Sequence, residues 1–168
     1  RDSSMQRLRK ATVSGLLAAL LLVGCGGEKP EAMLASAKEY LAKHDAKAAT
    51  IQLKNALQQK PDLAEARFLL GKALLEAGDA TGAEVELRKA KLYQYPADEV
   101  TPALARSMLA LGQADKVTDE FANADLSTAQ AKADLQTSLA TAYLMQNKPV
   151  QAETAYAAAV AAQPGYGP

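Results

Sequence analysis

Apolar positions along most of this chain recur with the period of a helix. Met33, Ala37 and Tyr40 stand four and three residues apart, as do Ala49, Leu53 and Ala56. Such spacings place each trio on one face of a helix. Val, Ile and Thr are sparse, and no run alternates apolar with polar residues over the length of a strand. The pattern breaks at His44, Gly78, Gly112 and Asn147, residue types that tolerate the left-handed conformation closing a helix. These signals predict an all-α chain of eight antiparallel helices near 32–43, 47–59, 64–77, 81–93, 99–111, 114–123, 131–146 and 149–162.

The helices repeat in pairs. Phe68-Leu-Leu-Gly-Lys-Ala-Leu-Leu-Glu-Ala-Gly78 overlays Pro102-Ala-Leu-Ala-Arg-Ser-Met-Leu-Ala-Leu-Gly112 at an offset of 34 residues. Four units follow: 30–63, 64–97, 98–132 and 133–166. The small residues Ala37, Gly71, Ala105 and Ala140 let the first helix of a unit approach its second, and Ala49, Ala83, Val117 and Ala152 reciprocate. Tyr40, Leu74, Met108 and Tyr143 fill the space between units. Pro61, Pro96 and Pro164 close second helices, because proline lacks an N–H and disfavours helix in the residue before it. The fourth unit runs one residue late, which implies an insertion near Ser127 to Ala131. Period and residue types resemble the tetratricopeptide (TPR) repeat. That resemblance implies a right-handed α-solenoid of about four helical hairpins.

The N-terminal segment belongs outside that fold. Arg7, Arg9 and Lys10 precede an uncharged, leucine-dominated run from Val13 to Val23. About 11 apolar residues are too few to span a bilayer, which takes roughly 20, but they suit a signal-peptide core. The ending Leu22-Val23-Gly24-Cys25 resembles a bacterial lipobox. It implies a signal-peptide helix in residues 1–24, cleavage before Cys25, a lipid on its sulfur, and a short tether at 25–29. Gly26, rather than Asp, after Cys25 implies an outer-membrane address on the periplasmic side, by resemblance to the enterobacterial sorting signal.

Composition narrows the function. Removing residues 1–24 takes four of 19 basic and one of 19 acidic residues, leaving 15 against 18, a net charge of −3. Such a chain offers no electrostatic case for nucleic acid. One His and one Cys exclude a His-based triad once the thiol is acylated, and no metal-ligand spacing exists. The reading is therefore a non-enzyme with no metal or cofactor. Nothing after residue 163 covers the last helix, whose expected open face carries Ala155, Ala158, Ala159 and Val160; the array is read as part of a longer one, the alternative being that this face docks on a partner.

Equivalent positions on the first helices form three stripes. Glu31, Glu65, Glu99 and Asp134 are acidic; Lys38, Lys72 and Arg106 are basic; Leu41, Leu75, Leu109 and Leu144 are apolar. Together they suggest a groove for an extended peptide or an anionic polymer. A local reading stands beside this one. Acidic residues in a first turn satisfy the helix dipole, and the cations pair with neighbours or are solvated.

The stretch Ile51-Gln-Leu-Lys-Asn-Ala-Leu-Gln, then Pro61, Glu65 to Gly71, Gly78-Asp79 and Ala83 to Ala90 resembles the TPR-repeat lipoproteins of exosortase/PEP-CTERM systems. The resemblance implies a membrane-anchored, periplasm-facing scaffold for protein–protein interaction in exopolysaccharide export and protein sorting. The alternative is an outer-membrane assembly lipoprotein of the pilotin or barrel-assembly type. A third reading places a catalytic domain beyond residue 168.

Overall fold

The computed structural model describes residues 27–165. The expected signal helix, the lipobox and Cys25 lie outside the described residues. Within them are eight α-helices and no strand: α1 Pro30–Ala42, α2 Ala46–Gln59, α3 Ala64–Glu76, α4 Ala80–Leu92, α5 Ala97–Ala110, α6 Ala114–Phe121, α7 Ala129–Met145 and α8 Pro149–Ala162. Their order matches the sequence expectation, and each end falls within two residues of the expected one.

The turn inside each hairpin follows from its residues. His44, Gly78, Gly112 and Asn147 all take positive φ, at 59°, 83°, 72° and 57°. Asp45 and Asp79 then open the second helices, their carboxylates accepting from Ala48 N at 3.0 Å and Gly82 N at 2.9 Å. A capping carboxylate satisfies an amide that the helix itself leaves unpaired. The later hairpins have Gln113 and Lys148 there, without a side-chain cap.

Packing is between consecutive elements. The pairs α1–α2, α3–α4, α5–α6 and α7–α8 form hairpins, and α3, α5 and α7 each pack on the hairpin before them. This is the arrangement of a helical stack, compatible with a solenoid. Ala37, Ala49, Ala83, Ala105, Val117 and Ala140 are fully buried between paired helices. At Gly71 the approach is tightest: a Cβ there would lie 2.6 Å from Leu87 Cγ and 3.3 Å from Ala83 O. Leu69 and Leu74 touch both the apolar cluster around α1–α3 and the larger one from α3 to α8, so the core runs unbroken along the stack.

Two expectations need correction. The first concerns the proline at the end of the second unit. Pro96 does not close α4: Gln94, at φ 63°, turns the chain, and Pro96 opens α5 as its N-cap. Pro61 and Pro164 do stand two residues past α2 and α8. The second concerns the last helix. Ala155 and Ala159 are buried, because their four-residue spacing aims both at α7. Val160 is exposed as expected, and Val150 and Tyr156 are exposed beside it.

The expected irregularity after the third unit takes the form of a short α6 and a long α7. Helix α6 stops at Phe121, and Leu126 in the following loop turns back into the core. Thr128 opens α7, accepting from Ala131 N at 3.2 Å. Asp98 at the start of α5 holds the loop: its carboxylate accepts from Ser127 N at 2.7 Å and Thr128 N at 2.9 Å.

Candidate interaction groove

The first helices bring part of the predicted stripes together. A cavity of about 340 Å³ opens where α3, α5 and the start of α7 meet. Lys72, Glu99, Arg106 and Asp134 line it, all positions picked from the repeat. Buried Phe68 and Pro102 and exposed Pro96 are apolar members of the lining. A second hollow, between α1 and α3, is lined by Leu41, Leu69 and Lys72 among others, so Lys72 stands at the junction of the two.

The charges within this region are arranged unevenly. Lys72 Nζ lies 5.6 Å from the centre of the Phe68 ring, within range of a cation–π contact. Phe68 in turn stacks on Tyr95, with ring centres 4.4 Å apart. The Tyr95 hydroxyl donates to Glu99 Oε2 at 3.3 Å. Burial, with Glu99 and Glu65 nearby, pushes the Tyr95 phenol up to about 12. Asp98 is committed to the loop before α7, and those backbone amides hold its carboxyl below its ordinary value. Asp98 and Glu99 of the lining are thus engaged within the chain, and Asp134 is not without a partner. Lys72 and Arg106 are exposed.

The other stripe members are dispersed. Lys38 Nζ pairs with Glu65 Oε1 at 2.5 Å, across the α1–α3 junction. Glu31 pairs with Lys60, just past α2, at 3.1 Å, and its carboxyl is lowered first by its own backbone amide and then by that lysine. Leu41, Leu75 and Leu109 are half-buried and pack against the core clusters, whereas Leu144 is exposed. Among the described residues no cluster of His, Cys, Asp or Glu is set to hold a metal ion, and no helix is long and apolar enough to cross a membrane.

No family model matches this chain, and no curated protein matches it.

Sequence reasoning missed the aromatic pair and both prolines of the groove. Tyr95 directly before Pro96 was a usable signal, since an aromatic at a unit boundary must pack on one of two hairpins. It also missed charged pairs that link α3 to α4 and α4 to α6. Arg67 on α3 meets Glu86 on α4 at 2.6 Å, both side chains close to nine-tenths buried, and its Nε donates to Pro61 O at 2.9 Å. Farther along, Glu120 on α6 receives Arg88 at 3.2 Å and Lys91 at 3.0 Å from α4. Partial burial opposes ionisation of Glu120, but the hydrogen bonds and charges of Lys91 and Arg88 win and lower its pKa.

Proposed function

We propose that this chain is a TPR-type, right-handed helical scaffold that binds an extended, acidic polypeptide across its first helices. The observation that carries the reading is the shared cavity of α3, α5 and α7: Lys72 and Arg106 are exposed in its lining while Asp98 and Glu99 accept from the chain's own donors. Such a surface offers cations to a ligand's carboxylates and the exposed Pro96 to its apolar atoms. Helical arrays present extended surfaces of this kind to partners. A lipid on Cys25, implied by the lipobox resemblance, would hold the scaffold on the periplasmic face of the outer membrane, and the resemblance to PEP-CTERM lipoproteins suggests a place in export or sorting machinery.

The test is selection of 12-residue peptides from a random displayed library against the chain, followed by binding to Lys72→Glu/Arg106→Glu. Selected peptides should carry Asp or Glu beside apolar residues and lose about tenfold or more in affinity against the double variant, since each lost charge-assisted contact is worth roughly 1–3 kcal/mol. Peptides without acidic residues, or undiminished binding to a folded double variant, would refute the groove. Stronger binding of polygalacturonate than of any peptide would redirect it to an anionic polymer.

A further inference from the structure

Charge is unevenly shared along the stack. Residues 27–60 carry six lysines against four carboxylates, whereas residues 61–165 carry nine Lys or Arg against fourteen. The basic excess sits on α2, which has two lysines and no Asp or Glu. Lys47, Ile51, Lys54 and Gln58 recur at four, three and four residues, which sets them in one stripe along the helix. All four are exposed, Ile51 at 53%. Ala49, Leu53 and Ala56 hold the other side of α2 in the core.

The same positions change character down the stack. Lys47, Thr81 and Asp115 correspond at intervals of 34 residues, as do Ile51, Val85 and Asp119. Arg88 stands on α4 where α2 has Lys54, and it meets Glu84 and Glu120 at 2.8 and 3.2 Å. Within the first hairpin Lys38 pairs with Glu65 and Lys60 with Glu31. Among the described residues no carboxylate pairs with Lys47 or Lys54.

The lead into α1 lies against the end of this helix. Gln59, the last residue of α2, donates from Nε2 to Glu28 O at 3.1 Å. Two residues of chain separate Gly27 from Cys25, a reach of about 7 Å at most. The uncharged run Val13 to Val23 comes just before. An anchor at residue 25 therefore sets the Gln58 end of the stripe close to lipid headgroups. From there the stripe runs about 16 Å along α2 to Lys47.

We infer that this face of α2 is a contact surface for an anionic lipid bilayer, which seats the first hairpin on the membrane beside the anchor. Lys47 and Lys54 meet lipid phosphates, and Ile51 between them enters the interfacial layer. The carboxylates of Asp115 and Asp119 on α6 are repelled by the same surface. The stack thus meets the membrane by its first hairpin rather than along its length. The inference rests on the anchoring reading of Cys25 and makes no use of the groove.

The experiment supplies the anchor by chemistry. The chain from residue 25, the form that cleavage before Cys25 leaves, has a single cysteine to which one acyl chain is coupled through a maleimide. One acyl chain binds reversibly, so partition is measurable. Vesicles of phosphatidylcholine are compared with vesicles containing about one-third phosphatidylglycerol. A chain of net charge −3 would be repelled by the anionic vesicles without a basic face. Binding to them should instead be roughly tenfold tighter, and the preference should fade with salt. Lys47→Glu/Lys54→Glu should abolish it. Lys116→Glu/Lys148→Glu, the same charge change on the later hairpins, should keep most of it. Equal binding to both vesicles, a preference that the α2 variant keeps, or one that both variants lose alike overturns the inference. Capture of polyglutamate by Lys47 and Lys54 without a vesicle preference would overturn it too, giving the face to an acidic polypeptide. Because the acyl chain is added in vitro, the outcome is separable from whether the cell lipidates Cys25.

Discussion

Lys38 of the basic stripe and Glu65 of the acidic stripe are partners, 2.5 Å apart and on different hairpins. The two stripes therefore run partly into each other, and Lys38 favours the local reading of its charge. Both side chains remain more than a third exposed, which limits what the pair contributes. Lys38→Ala or Glu65→Ala should cost only about 0.2–1 kcal/mol in denaturant unfolding, and less at high salt. A loss of several kcal/mol would mean that the pair clamps the two hairpins together.

The tightest helix contact should be the most sensitive. Leu87 is fully buried beneath Gly71, and Leu87→Ala should cost roughly 2–5 kcal/mol, the range of leucine truncation in cores. Gly71→Ala places a Cβ against Leu87 and Ala83 O. Its overpacking cost, about 1–3 kcal/mol, is offset by a gain of about 1 kcal/mol in helix propensity. The net change should be destabilising and smaller than that of Leu87→Ala in the same thermal melts.

Asp98 should make the α6–α7 loop pH-sensitive. Its folded pKa is lowered chiefly by the amide of Ser127, then opposed by desolvation and lowered again by Thr128. A depressed carboxylate contributes stability that is present above its unfolded pKa and lost as pH falls through its folded pKa. Amide exchange at Ser127 and Thr128 should accordingly accelerate in acid, beyond the intrinsic trend, and Asp98→Asn should weaken protection there at neutral pH. Unchanged protection in Asp98→Asn would show that Asp98 does not hold the loop.

Tyr95 carries the opposite sign. Its phenol is raised from 10.0 to about 12, so its contribution is fully present below about pH 10 and is lost as pH rises through 12. Ultraviolet titration should show a late tyrosine step, and Tyr95→Phe should remove it. Loss of the step without loss of ring stacking on Phe68 would identify burial and the nearby carboxylates as its cause.

Cys25 tests the anchoring proposal. Cys25→Ser should move the protein from the membrane to the soluble fraction of the producing cell. Mass spectrometry of the unaltered protein should find diacylglycerol on residue 25. An unmodified thiol there would refute the lipid tether while leaving the helical stack untouched.

Helix boundaries were legible because they depend on local signals. His44, Gly78, Gly112 and Asn147 tolerate the left-handed conformation that closes a helix. The α6–α7 junction was harder. The late fourth unit disclosed that something changes there, but the early end of α6 depends on Leu126 finding the core and on Asp98 reaching Ser127 and Thr128. Those partners are 29 and 30 residues apart in the chain.

The groove divides in the same way. Periodicity placed Lys72, Glu99, Arg106 and Asp134 on corresponding faces, and the structure brings them to one cavity. It said nothing of Phe68 stacked on Tyr95 beneath Lys72, since that contact arises only where α3 meets the turn before α5. By itself the sequence determined eight helices, their pairing and the small residues at their crossings, because helix period and turn chemistry act over a few neighbouring residues. Only the tertiary structure decided which charges are spent on partners, which apolar side chains stay open on α8, and how Asp98 secures the next hairpin. Those outcomes depend on side chains that approach one another only after the hairpins have stacked.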